Sequence, residues 1–247
     1  NVHIAFRDLS TKSLEYHYAA FNGSAFNPTS EIVKGMSSTS LGLCAPALVL
    51  RGADLTLLNP GEGNESLYLR TRTGGLWDEG KDFMTIPAFN VDDVTAAIVT
   101  MSSGLELLAV ITKKDTAKSL HYLTRQNNVW SSLMPIMGGS SIELSLLPLE
   151  GGKALLAYRE YNTNAIFWSR FDGVGWSMVK EVVTGVTAKS KPVLAIGAGD
   201  AEAELLFIDS ADAVRHARIR KDASSFEPPA TIMGASGLVG IAAATNL

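Results

Sequence analysis

The amino-acid sequence predicts an all-β chain: a five-bladed β-propeller of four-stranded antiparallel blades, its ring closed by the C-terminal strand completing the N-terminal blade. Three observations carry this expectation. A segment made of a strand, a turn and an aromatic residue recurs five times. Val, Ile, Leu and aromatics alternate at period two, broken every few residues by Gly, Asn, Asp or Pro, which argues against helices. The two ends of the chain are complementary, one lacking a strand that the other has in surplus.

The defining stretch is Ser66–Trp77, read as a strand, a glycine turn and a tryptophan. Its copies begin at Ser13, Ser119, Ala165 and Ala213, so successive starts lie 53, 53, 46 and 48 residues apart. Each copy is followed by a turn and an aromatic: Asn22-Gly23 and Phe26, Gly74-Gly75 and Trp77, Asn127-Asn128 and Trp130, Asp172-Gly173 and Trp176, Lys221-Asp222 and Phe226. Most of these turn residues tolerate a left-handed backbone or form Asx turns. A second strand precedes each copy, at His3–Phe6, Asp54–Leu58, Glu106–Val110, Lys153–Tyr158 and Glu204–Ile208. A more apolar strand precedes that one in four units, at Ala45–Leu50, Ala96–Met101, Glu143–Leu147 and Pro192–Ile196. A short outer segment follows the aromatic, as at Glu31–Val33, Asp82–Met84 and Lys180–Val183. Four short strands per unit of about fifty residues is the pattern of a propeller blade.

The first unit lacks its innermost strand, and the last is followed by an apolar strand without partners, Leu238–Ala243. Pairing the two completes five blades and leaves no open sheet edge at the closure. The expected repeats are residues 1–42 with 237–247, 43–93, 94–140, 141–189 and 190–236, forming one domain over 1–247. A β-sandwich with extra strands would need no fifty-residue period, and a fragment of a larger ring leaves the last strand unexplained.

Composition narrows the function. The 247 residues are 46% hydrophobic, enough for a sizeable core, and only 19% charged. The formal charge of -4 and the absence of a basic stripe argue against nucleic acid as a partner. Cys44 is the one cysteine, which excludes an internal disulfide and a CxxC site; its apolar neighbours suggest a buried thiol. No apolar run is long enough to span a membrane. The chain starts at Asn1 without a signal segment, as a trimmed product would, and its beginning assigns no compartment, although an extracellular location is compatible with it. Two sequons, at Asn22 and Asn64, fall in expected turns.

Within the third strands, Leu14, Leu67, Leu120, Ile166 and Val214 share a face with Tyr16, Leu69, Tyr122, Trp168 and His216. That face packs on the neighbouring blade, with His216 half-buried and hydrogen-bonded or else a ligand contact. The trailing aromatics fill space between blades or form platforms for sugar rings. A pyranose stacks its C–H face on an aromatic while its hydroxyls seek charged and amide groups. The candidate ligand-binding residues are therefore Arg70 and Arg72 with Trp77, Arg125 with Trp130, and Arg170 with Trp176. Repetition of weak sites gives avidity.

No metalloprotease helix, dinucleotide loop, Walker loop or nucleophile elbow is present. Gly151-Gly152-Lys153 reads as a hairpin turn. The four histidines show no ligand-pair spacing, so no metal and no cofactor is expected. A glycoside hydrolase would need converging carboxylates near the ring axis; the candidates are Glu31, Asp92, Asp93, Glu143 and Asp200.

The units Val2–Phe26 and Ala157–Trp176 combine a short strand with an acidic turn, a Leu-x-Tyr-like strand, an Asp/Asn-Gly turn and an aromatic. This resembles the repeat of sialidase-like and lectin-like propellers, and the architecture is similar to five-bladed horseshoe-crab lectins and fungal fucose-binding lectins. The resemblance implies a non-enzymatic lectin with pockets at or between blades. The sialidase Asp-box is not intact in any copy, and the Arg, Glu and aromatic trio of the fucose-binding type cannot be placed in all five. The resulting expectation is a multivalent lectin whose partners are glycans or glycoproteins, compatible with a homo-oligomer. The alternatives are a protein-interaction scaffold and a glycoside hydrolase with axial carboxylates.

Overall fold

Alternating apolar residues between turn-forming pairs give five antiparallel sheets in succession along the chain. The structure, a computed structural model, describes residues 2–8, 13–21, 26–32, 47–51, 54–60, 66–78, 83–85, 96–114, 117–127 and 129–232. The first sheet holds β1 (Val2–Asp8), β2 (Ser13–Phe21) and β3 (Phe26–Ile32), in that order. The second holds β4 (Ala47–Arg51), β5 (Asp54–Pro60), β6 (Ser66–Thr73) and β7 (Leu76–Trp77), with β8 (Phe83–Thr85) also paired to β6. The third repeats this plan with β9 (Ala96–Thr100), β10 (Glu106–Lys114), β11 (Ala117–Gln126), β12 (Val129–Trp130) and β13 (Met134–Pro135). The fourth has β14 (Ser141–Pro148), β15 (Ala154–Glu160), β16 (Ile166–Phe171) and β17 (Lys180–Glu181). The fifth has β18 (Val193–Ile196), β19 (Ala201–Ile208), β20 (Val214–Arg220) and β21 (Ala230–Ile232).

Four of the expected copies are thus third strands of a meander, the first copy is the middle of three described strands, and each pairs with the strand before and after it. The outer segment differs from expectation in sheets two and three, where it breaks into two pieces. In the third sheet, Arg125 faces Trp130 but Tyr122 faces Met134, so an extra residue interrupts the ladder between them. The second sheet is interrupted by two extra residues between Arg72↔Trp77 and Tyr68↔Phe83. The β6–β7 turn is made by Gly74 (φ 59) and Gly75 (φ 87), the two positive values that a type I′ hairpin demands. Gly151 and Gly152, with φ of 70 and 74, lie in a 3-10 turn joining β14 to β15. The proposed closing strand at 238–243, Cys44, both sequons and Asp92-Asp93 lie outside the described residues.

The chain divides into two compact units, residues 1–98 with 112–116 and residues 99–111 with 117–247. In the first, β1 runs beside β4. In the second, the first strands β14 and β18 lie side by side, and the N–H of Leu194 donates to Ser145 Oγ at 3.1 Å. Leu155, Ala157, Ile166 and Trp168 of the fourth sheet pack with Ala203, Leu205, Phe207, Ala217 and Ile219 of the fifth. Trp168 meets Phe226 edge-on at 5.4 Å. Each of the Leu, Ile and Phe side chains among them contributes about 1.5–3 kcal/mol by leaving water.

Candidate functional site

The hairpin after each third strand sets where the aromatics stand. Phe21↔Phe26, Arg72↔Trp77, Arg125↔Trp130 and Phe171↔Trp176 are cross-strand partners in four successive sheets. The residue after the aromatic locks the hairpin. Thr71 N–H donates to Asp78 Oδ1, Thr124 N–H to Ser131 Oγ and Arg170 N–H to Ser177 Oγ, at 3.1, 3.0 and 3.0 Å. In each case the N–H of the locking residue returns to the carbonyl of its partner. A short polar side chain here stands in for a backbone carbonyl and pins the aromatic before it. This recurrence, readable as Trp-Asp, Trp-Ser and Trp-Ser, is absent from the motif reading of the sequence.

Partnership across the hairpin puts Arg72 beside Trp77 and Arg125 beside Trp130. Arg70, two residues before Arg72, shares its face of β6 and is 6% exposed. The Arg125 guanidinium stands over the Trp130 ring at 5.5 Å, and its Nη1 donates to Glu106 Oε2 at 3.3 Å, both side chains being buried. Arg170 behaves differently. It is offset by one position, so Phe171 and not Arg170 faces Trp176, and the two candidates point to opposite faces of the fourth sheet. Trp176 faces the third sheet, where it lies 5.3 Å from Phe171 and 6.0 Å from Tyr122. Arg170 faces the fifth sheet with Trp168.

There Arg170 Nη2 pairs with Glu202 Oε2. Strict alternation back from Ala203 would put Glu202 on the far face of β19, with Glu204. A register shift between Ala201 and Ala203 breaks the alternation and lets Glu202 reach Arg170. Glu202 lines an open cleft of about 860 Å³. Four turns of the second unit build it: the β9–β10 turn with Ser102, the β14–β15 turn, the β18–β19 turn and Lys221 after β20. Its apolar wall is Pro148, Leu149, Ile196 and Ala201, and its charged groups are Glu150, Lys153, Asp200, Glu202 and Lys221. Gly197 is required at one edge, because a Cβ there would lie 2.4 Å from the Ala201 carbonyl oxygen.

The charges of the cleft are compensated. Asp200 receives Arg218 Nη2 and Arg220 Nη1 at 3.0 Å each, and Arg220 Nε also donates to Glu227 at 2.9 Å. Lys221 lies 3.9 Å from Glu150. Lys153 faces Asp172, whose carboxyl is held below its usual range by the N–H groups of Gly175 and Val174, with the lysine charge adding to the effect. His216 is half-buried, with Nε2 3.3 Å from Glu204 Oε2. No aromatic side chain lines the cleft. Of the acids considered for hydrolysis, Glu143 is ion-paired with Arg159 at 2.8 Å and Asp200 with its two arginines. Among the described residues no group of three His, Cys, Asp or Glu is placed to hold a metal, and no helix is long and apolar enough to cross a membrane.

No protein-family model matches the sequence, and no curated protein matches it. Solved structures do match in fold. AofleA from Arthrobotrys oligospora superposes with a TM-score of 0.69 at 16% identity, over 98% of this chain and 72% of its own. The BP39L lectin from Burkholderia pseudomallei gives 0.65 at 12% identity, over 91% of this chain and 68% of its own. The Hadza microbial sialidase Hz136 gives 0.58 at 14% identity, over 92% of this chain but only 54% of its own. The likeness is one of architecture: the chain is a distant structural relative of β-propeller lectins and sialidase-like propellers.

Proposed function

We propose that this chain is a carbohydrate-binding lectin, folded as a closed five-bladed propeller in which residues 238–243 complete the first blade. The observation that carries the reading is the cleft beside Arg170 and Glu202. An apolar wall of Pro148, Leu149, Ile196 and Ala201 stands beside the ammonium donors of Lys153 and Lys221 and the carboxylate acceptors of Glu150, Asp200 and Glu202, the two kinds of surface that a sugar ring presents in reverse. The Arg72/Trp77 and Arg125/Trp130 pairs are further candidate pockets, and their recurrence supports multivalent binding. The fold shared with a lectin supports the architecture; the site argues for the activity. A glycan array followed by calorimetry on the full chain tests the proposal. Binding to at least one glycan class, weakened tenfold or more in Glu202→Gln, is the expected result; silence across the array sinks it.

A second reading has its own observation, the meeting of Glu150, Asp200 and Glu202 in one cleft, which a glycoside hydrolase would use as acid and base. Labelled oligosaccharides separate the two. A lectin returns them intact after long incubation, whereas a hydrolase shortens them.

A further inference from the structure

We infer that the cleft between the fourth and fifth sheets takes an electrically neutral oligosaccharide of more than one ring and rejects acidic sugars. The inference rests on the carbohydrate-binding reading above and adds the ligand class. Its first support is charge. An acidic sugar needs a cation that the protein has not already neutralised. Here Glu202 is paired with Arg170 and Asp200 with Arg218 and Arg220, none of the three arginines being in the lining, and the lining itself carries three carboxylates, Glu150, Asp200 and Glu202, against two ammonium groups, Lys153 and Lys221. Glu204 stands 4.0 Å from Arg218 and Glu227 2.9 Å from Arg220, so the surroundings lean negative. A carboxylate or sulfate entering this wall would meet Glu150, Asp200 and Glu202 without a cation in excess.

A neutral polyol meets no such penalty. The ammonium groups of Lys153 and Lys221 offer N–H donors, and the lining carboxylates keep unused lone pairs. A sugar hydroxyl donates to one and accepts from the other. Second, the cleft is large. Small-molecule sites run from roughly 300 to 1,000 Å³, and about 860 Å³ lies toward the top of that range. Its apolar residues come from two sheets, Pro148 and Leu149 from the fourth and Ile196 and Ala201 from the fifth. A single ring would leave much of this wall wet, and a chain of rings covers it.

The test uses the full chain with two ladders of purified oligosaccharides, one neutral and one carrying sialate, uronate or sulfate, titrated at low and high salt. The expected result is affinity for neutral ladders that rises at least tenfold from one ring to three and changes less than twofold with salt. Asp200→Asn removes one carboxylate from the lining and the 3.0 Å partner of Arg218, leaving Arg218 with Glu204 at 4.0 Å and Arg220 with Glu227, so this variant should gain salt-sensitive binding of the acidic ladder. Ser102→Trp, at an exposed turn on the cleft wall, should abolish neutral binding while the melting temperature is kept. Wild-type preference for the acidic ladder overturns this inference and leaves the lectin reading standing. Neutral binding that ignores chain length, or that survives Ser102→Trp, overturns it too. No binding to either ladder or to the array removes both.

Discussion

Tyr158 is fully buried, stacked on Phe167 at 5.9 Å, and its hydroxyl has no hydrogen-bond partner among the described residues. Burial pushes the phenol well above its usual range, and the charge of Glu160 adds to that. A buried polar atom without a partner costs about 1–3 kcal/mol. Tyr158→Phe removes the atom and keeps the ring, so thermal or denaturant melts should show the variant at least as stable as the parent; a loss above about 1 kcal/mol would reveal a bond through an ordered water. Single residues are also where sequence reasoning met its limits. His216 was expected half-buried and bonded, and it lies against Glu204. Glu202 could not be foreseen. In Ala201-Glu202-Ala203-Glu204 simple alternation sends both acids the same way, and a bulge, which has no marker in these residues, separates them.

At the scale of the element, the hairpin after each third strand is the recurrent device. The sequence announces its turn and its aromatic; the lock is hidden because Asp78, Ser131 and Ser177 look like ordinary loop residues. Ser177 accepts from the Arg170 N–H at 3.0 Å, and its carbonyl accepts from Ser169 Oγ at 2.8 Å. Ser177→Ala leaves the Arg170 N–H without that acceptor. A loss of about 0.5–1.5 kcal/mol in a denaturant melt is expected, with faster amide exchange at Arg170; unchanged exchange would show that the lock is decorative. The same offset explains why Arg170 and Trp176 do not form the pair their spacing suggested. Arg72 and Arg125 stand five residues before their tryptophans, Arg170 six, and one residue reverses the face.

At the scale of the whole molecule, five antiparallel meanders follow one another along the chain, three strands being described in the first and four or five in each of the others. The closing strand is the part that remains a proposal. If residues 238–243 complete the first blade, truncation after Ser236 leaves an open sheet edge. The melting temperature should then fall by about 5–10 °C, the shift expected when a few kcal/mol are lost from a domain of this size, and the truncated chain should associate. An unchanged melt would dismiss ring closure.

Period, strand order and turn positions could all be read from the residues, because alternation and turn chemistry are local: each depends on neighbours a few positions away. The charge pairs and the cleft could not. Arg170 meets Glu202 across 32 positions of chain, Lys221 meets Glu150, and the cleft wall is assembled from turns of three sheets. Such meetings depend on which face a bulge or a one-residue offset selects and on how sheets stack, and both are settled only when the strands pack.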